Sequence, residues 1–207
     1  MTSFEHAMLG VTQTLAAGLH RKHGWQIAAM AGVVAVSPDW DGLTILGGMQ
    51  VFDVAHRAWG HNLLVCALVG ILLAWLDYRC DIVTRARRFL VRLMRDRSET
   101  SELRTQRSLG GYSAWLLVGA LVALSHLPAD MVVSGAAQLN DWELQLLWPF
   151  SRQGFVYPLV SWGDPGMSVI FVGGMFGMWR WPQHLQRVAA FTLLLLVAYI
   201  AVRGAMR

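Results

Sequence analysis

The chain has 207 residues, the size of one domain, with 55% hydrophobic and only 14% charged residues and a mean hydropathy of +0.43. Soluble domains average roughly 25% charged residues, so composition excludes an ordinary soluble surface. The net charge of +4 does not imply nucleic acid, because the basic residues lie between apolar segments with no aromatic interleaving and no recognition motif.

From the N-terminus, Glu5 and His6 stand where a signal peptide would carry positive charge, so the opening residues are expected to belong to the mature fold. Residues 4–19 and 25–36 are short apolar candidates, each a half-span or a buried core helix. Residues 62–76, closed by Asp77, are a clear membrane helix. Cys66 within this run and Cys80 just past it make neither a disulfide framework nor a metal-site spacing. Residues 79–107 are rich in arginine, with Phe89, Leu90, Leu93 and Met94 on an apolar stripe. This pattern predicts an amphipathic helix on an anionic membrane face, followed by a polar loop. Residues 112–127 and 188–202 are further clear spans. Residues 167–181 are a fourth, glycine-rich at Gly173, Gly174 and Gly177, as close-packed membrane helices are. Each is about 15–17 residues against the ~20 of a full crossing, so interfacial flanks must supply the rest. The expectation is one all-α membrane-embedded domain over residues 1–207, a bundle of about 4–6 membrane helices with a basic cytoplasmic segment at 79–107. Its first partners are the lipid bilayer and anionic lipid at the basic segment.

Arginine placement orients the bundle. Of the 17 Lys and Arg residues, 13 are Arg21, Lys22, Arg180, Arg187 or within 79–107. With these on the cytoplasmic side, loops 38–61 and 128–166 carry only Arg57 and Arg152 and are assigned to the outside. Trp40, Trp59, Trp142, Trp148 and Trp162 lie in those loops, as an interfacial aromatic belt requires.

Alternating helix direction then brings His6, Asp39, Asp41, His56, His61, His126 and Asp130 to the outer end. His126 and Asp130 are four apart and share one helical face, although Pro128 lies between them. His56 and His61 are five apart across a bend at Gly60, a spacing that suits adjacent metals better than one chelate. Asp39 and Asp41 follow Pro38, and a Pro-led turn directs one carboxylate inward and leaves the other to support it. Imidazole and carboxylate without thiolate suit zinc, manganese or iron in a working site more than a structural zinc. A lone interfacial histidine is more often an anchor, but ionisable residues gathered at a membrane edge favour function. Asp53 stands three residues before His56, where it would orient that ring or simply be solvated. His20, His23 and His184 fall beside arginines at the other end, and Ser125 does not face His126 as a nucleophile would.

On these residues the chain resembles the YbcI/YdjM family of bacterial inner-membrane proteins, described as metal-dependent hydrolases. The shared elements are His6, the PDxD turn at Pro38, Asp39 and Asp41, His56 and Arg57 with His61, the pair His126 and Asp130, and the stretch WPFS at 148–151. They cover about the first three-quarters of the chain. Where the family carries a Gly-Thr run leading to His-Ser, this chain has Ala58, Trp59 and Gly60 leading to His61 and Asn62. The family in turn is similar to the zinc-dependent phospholipase C and single-strand nuclease group. That likeness implies phosphoester hydrolysis at two or more zinc ions, without fixing the substrate.

The resulting expectation is a hydrolase of a phosphoester or other ester, small or lipid-linked, at the extracytoplasmic face of the inner membrane. His6, Asp39, His56, His61, His126 and Asp130 are the expected metal ligands. Asp41 is expected as a general base or a further ligand. Arg57 and Arg152 would hold an anionic group, or else anchor to headgroups. The 128–166 loop, with Gly135, Gly154, Gly163 and Gly166, would cap the site. The alternatives are a metal-binding membrane transporter, which needs ligands at mid-membrane on broken helices, and a non-catalytic membrane scaffold.

Overall fold

A computed structural model of the chain describes residues 1–94, 109–135 and 140–206, so the second half of the basic 79–107 segment lies outside the described residues. In chain order the elements are α1 (Ser3–Ala16), α2 (Leu19–His23), α3 (Trp25–Val36), a 3-10 segment (Ser37–Gly47) and α4 (Met49–Ala55). Then follow α5 (Leu63–Cys80), α6 (Ile82–Leu93), α7 (Leu109–Val132), α8 (Pro165–Arg180), a 3-10 turn (Pro182–His184) and α9 (Leu185–Ala205). The fold is all-α. Between α7 and α8 the described chain is irregular, pinned by single bridges from Val133 to Val160 and from Leu144 to Phe155.

Local chemistry starts the helices where they start. Thr2 and Glu5 form a reciprocal capping box on α1. Asn62 caps α5, its side-chain oxygen accepting from Val65 N at 2.9 Å. Asp164 caps α8, with Pro165 in the first turn, where its missing N–H costs nothing.

α3 is apolar on all sides, which predicts burial on all sides. Ile27, Met30, Ala31 and Val34 are accordingly within the main core, together with Cys66 and Ala74 of α5 and Trp115, Ala123 and Leu127 of α7. Small residues set how closely the helices cross. A Cβ on Gly70 of α5 would stand 2.4 Å from the carbonyl oxygen of Gly119 on α7, and a Cβ on Gly119 the same distance from Gly70 O. α1 meets α3 in the same way at Gly10 and the carbonyl of Ala31. These are the small-residue contacts by which membrane helices associate.

Among the described residues, three helices are long and apolar enough to cross a membrane: Leu63–Cys80, Gly110–Val132 and Pro182–Ala205, with fewer than half of their residues buried inside the protein. Leu68, Leu72, Leu121 and Leu194 project outward from them, a surface suited to lipid. α8 has 16 residues and pairs with α9; at 1.5 Å per residue it reaches about 24 Å, short of a ~30 Å hydrocarbon core. α1 and α3 are shorter still, and pack inside the bundle. At the end where α5 finishes, buried Asp77 accepts from Trp115 Nε1 at 3.0 Å and Val83 N at 2.8 Å, joining α5, α6 and α7.

Candidate metal centre

Four chain segments meet at the other end of the bundle. α1 begins there with His6, and α3 ends there, followed by the 3-10 segment with Asp39 and Asp41. α5 begins there just after His61, and α7 ends there with His126 and Asp130 one turn apart. α7 continues through Pro128 to Val132, so the pair keeps its helical spacing. The 3-10 winding matters for the acids. At three residues per turn, positions two apart point about 120° from each other, whereas in an α-helix they are nearly opposed. Asp39 and Asp41 therefore address His61 from two sides: Asp41 Oδ2 lies 2.8 Å from Nδ1, and Asp39 Oδ1 lies 3.4 Å from Nε2.

Around one centre the donor atoms are close. His61 Nε2 is 3.1 Å from His126 Nε2 and 3.3 Å from Asp130 Oδ2. His126 Nε2 is 3.5 Å from both Asp39 Oδ1 and Asp130 Oδ2. His6 stacks on His126 with ring centres 3.6 Å apart and brings its Nε2 to 3.0 Å from Asp130 Oδ1, which the Met1 amine also contacts. His6, Asp39, His126 and Asp130 each offer a ligand atom within 4.8 Å of the others, a group that could hold a metal ion. His6, His61, His126 and Asp130 are buried, and Asp39 is the partly open member.

The protons on these rings are accounted for. His126 Nδ1 lies 2.8 Å from the Ala35 carbonyl, and His61 Nδ1 faces the Asp41 carboxylate. Both oxygens only accept, so both rings donate from Nδ1 and turn Nε2 toward each other and toward two carboxylates. Two carboxylates facing these nitrogens favour positive charge there, as a proton or a bound cation. Burial would lower the His61 imidazole, but Asp130, Asp39 and Asp41 outweigh it and hold that group well above its ordinary range.

Asp41 holds this geometry without joining the group. It is fully buried and accepts from His56 Nδ1 at 3.0 Å through one oxygen. The other accepts from His61 Nδ1, Gly60 N at 2.9 Å and Arg57 N at 3.1 Å. Burial raises its carboxyl, but the bonds from His56, His61 and Gly60 override this and hold it at about 2. The sequence reading left Gly60 as a bend and Asn62 without a role. A Cβ on Gly60 would fall 2.0 Å from the Pro38 carbonyl oxygen, so glycine is what lets the two loops touch. Asn62 ties the same loop down, donating to Ala58 O at 2.8 Å and Trp59 O at 3.0 Å while capping α5.

Asp39 and Asp130 of the group line a cleft of about 840 Å³, with His56, Arg57, Asp53 and Trp142 among its other lining residues. Its walls come from α4 and from the loop after α7, including Trp142, Glu143 and Trp162. His56 is not brought into the metal group: it is part-exposed, bonded to Asp41 and stacked on Phe52 at 4.4 Å. Asp41, rather than Asp53, takes its Nδ1. Arg57 has a positive φ of 65°, donates to Trp142 O at 3.2 Å, lies 5.0 Å from the Trp142 ring centre and sets Nη2 3.9 Å from Asp130 Oδ2. Arg152 is exposed and outside the cleft lining. Ser125 donates to Gln13 and Val122, away from the group.

A divalent ion fits this donor set. Ligands 2.0–2.1 Å from a tetrahedral zinc lie about 3.3–3.4 Å from one another. His61 Nε2 and His126 Nε2 lie 3.1 Å from each other and 3.3 to 3.5 Å from the Asp39 and Asp130 carboxylates. His6 Nδ1 is buried and without a hydrogen-bond partner among the described residues. Fold and site together define a multi-helix membrane protein with a buried His/Asp cluster at one end of its bundle. The chain matches the family described as YdjM inner membrane protein over residues 1–207 and belongs to it. No curated protein and no solved structure matches it.

Proposed function

We propose that this chain is a membrane-bound, metal-dependent hydrolase of a phosphoester or related ester, working at the extracytoplasmic face. The observation that carries the reading is the convergence of His61 and His126 Nε2 with the Asp39 and Asp130 carboxylates, the two acids lining a cleft. Zinc is the ion that best suits imidazole and carboxylate at these separations, with manganese or iron as substitutes. His61, His126, Asp39 and Asp130 would hold the ion, with His6 beside them. A bound ion of this kind lowers the pKa of its water and polarises the ester oxygen.

The chain's own residues do the rest. Asp41 keeps His61 in the tautomer that presents Nε2, and Ala35 O does so for His126. His56, its Nδ1 bonded to Asp41, turns its other nitrogen to the cleft, where an acid–base group is needed to protonate a leaving oxygen. Arg57, packed on Trp142 at the cleft wall, is the cation for an anionic substrate group. Arg21, Lys22, Arg79 and the arginines of α6 lie at the opposite end of the bundle, which the positive-inside rule makes cytoplasmic. There α6 exposes Phe89, Leu90 and Leu93 beside Arg85, Arg88 and Arg92, a surface for anionic lipid.

Metal content of purified wild-type protein and of His126→Ala and Asp130→Ala, with turnover of bis(p-nitrophenyl) phosphate, tests this reading. Bound zinc, manganese or iron in wild type, lost in both variants together with chelator-sensitive turnover, is the expected result. A metal-free wild type with turnover unchanged in both variants sinks it.

A further inference from the structure

The chain from the 3-10 segment through α4 is folded against itself beside the cleft and carries apolar side chains that no described residue covers. Leu43, Ile45, Leu46, Met49 and Val54 project outward, with Leu46 86% and Val54 71% exposed. α4 packs chiefly on the 3-10 segment. No lysine or arginine occurs between Lys22 and Arg57. A patch of this character in water marks an interaction site.

Two observations say what covers it. The patch is continuous with membrane-facing surface: the candidate span Leu63–Cys80 begins eight residues after α4 ends, and its first turns expose Leu63, Leu64 and Leu68. Trp40, Trp59 and Trp162, all exposed at the same end, belong at the headgroup level of a bilayer. The segment is also part of the site. Asp39 lies on its first turn and Asp41 on its second, and Gly42, Phe52 and Asp53 line the cleft.

We propose that residues 42–54 form an interfacial hairpin embedded in the leaflet on the cleft side, and that the cleft takes its substrate from that leaflet. The substrate is then a bilayer phospholipid, its phosphate held near Arg57 and the metal group and its chains along the apolar hairpin. The choice of substrate rests on the hydrolase reading; the insertion of the hairpin does not.

The test uses the full chain in nanodiscs of phosphatidylcholine and phosphatidylglycerol, with Cys80→Ser and a single environment-sensitive label at Leu46→Cys. Arg152→Cys, exposed at the same end, is the reference position. A helix lying in the interface sits about 5–10 Å into the headgroup and acyl boundary, so the Leu46 label should shift to the blue and lose most of its emission to lipids with nitroxides high on the acyl chain. The Arg152 label should keep its emission. A Leu46 label that emits as in water and is not quenched overturns the insertion. In a second arm, the Leu46→Glu/Val54→Glu variant should lower the ratio of phosphatidylglycerol to bis(p-nitrophenyl) phosphate turnover about ten-fold, equivalent to about 1.4 kcal/mol. An unchanged ratio overturns delivery from the leaflet. A quenched Leu46 label with neither ester turned over supports the hairpin and removes the hydrolase reading instead.

Discussion

Replacing Asp41 by asparagine separates the positioning of a ligand from ligation itself. Asp41 touches no metal-directed atom, yet four donors end on it: His56 Nδ1, His61 Nδ1, Gly60 N and Arg57 N. In Asp41→Asn the amide oxygen takes the place of Oδ2 and keeps the two backbone bonds and His61 Nδ1. The new NH2 faces His56, which is part-exposed and can present a lone pair. The fold therefore survives, but His61 donates to a neutral amide instead of a carboxylate and becomes a poorer ligand. Loss of such a partner weakens metal binding by roughly 10–100-fold, or about 1.4–2.7 kcal/mol. Asp41→Ala differs in kind. It leaves two backbone N–H groups and His61 Nδ1–H buried without an acceptor, at roughly 1–3 kcal/mol each. That sum approaches the roughly 5–15 kcal/mol of a whole domain, so this variant should fail to accumulate. Competition for zinc against a chelator of known affinity, with thermal melts of the detergent-solubilised protein, measures both effects. Wild-type zinc affinity in Asp41→Asn would refute the positioning argument. Complete metal loss with the melt of metal-free wild type would make Asp41 a ligand.

Other expectations follow from the same geometry. Gly119→Leu drives a side chain into the Gly70 carbonyl across the α5–α7 crossing; overpacking of this kind costs at least about 1–3 kcal/mol. It should lower both melting temperature and zinc affinity, although every donor is intact. At position 57 the backbone is left-handed, so Arg57→Gly should be more stable than Arg57→Ala by about 1 kcal/mol, both having lost the Trp142 contact; equal melts would contradict it. Turnover of a phosphoester should fall in both variants, through a raised KM. Gly60→Ala places a methyl against Pro38 O and should reduce metal content without touching a ligand. Removal of metal by a chelator should lower the melting temperature of wild type and leave that of Asp130→Ala where it was, since an ion bound only by the folded state stabilises it in proportion to its occupancy.

Much of the site was legible before the fold. Two signals carried it: apolar runs long enough to alternate across a membrane, and four of the seven histidines with three acids at one set of their ends. His126 and Asp130 share a face because a helix repeats every 3.6 residues, and α7 runs unbroken past Pro128 to keep them so. Asp39 and Asp41 were harder. Their separate tasks depend on a 3-10 rather than an α winding, and the preference between the two is set by what the segment packs against. His56 looked like a ligand from its spacing and is turned instead to Asp41, because Gly60 brings Pro38 and its acids into contact with the 56–61 loop. Nothing in the order of residues announces that approach, and the capping role of Asn62 was hidden in the same loop.

The sequence by itself determined that this chain is helical, lies in a membrane and keeps its histidines and acids together, because hydrophobic periodicity and charge placement act through local rules. Tertiary structure alone decided which of those acids join the candidate metal group and which face another side chain. That depends on distances of about 3 Å between residues as far apart as His6 and Asp130, set by how closely glycine lets helices approach. It also decided that α3 is a buried core helix and that the apolar hairpin beside the cleft is left uncovered. Composition cannot distinguish an apolar residue facing protein from one facing lipid; only the packing can.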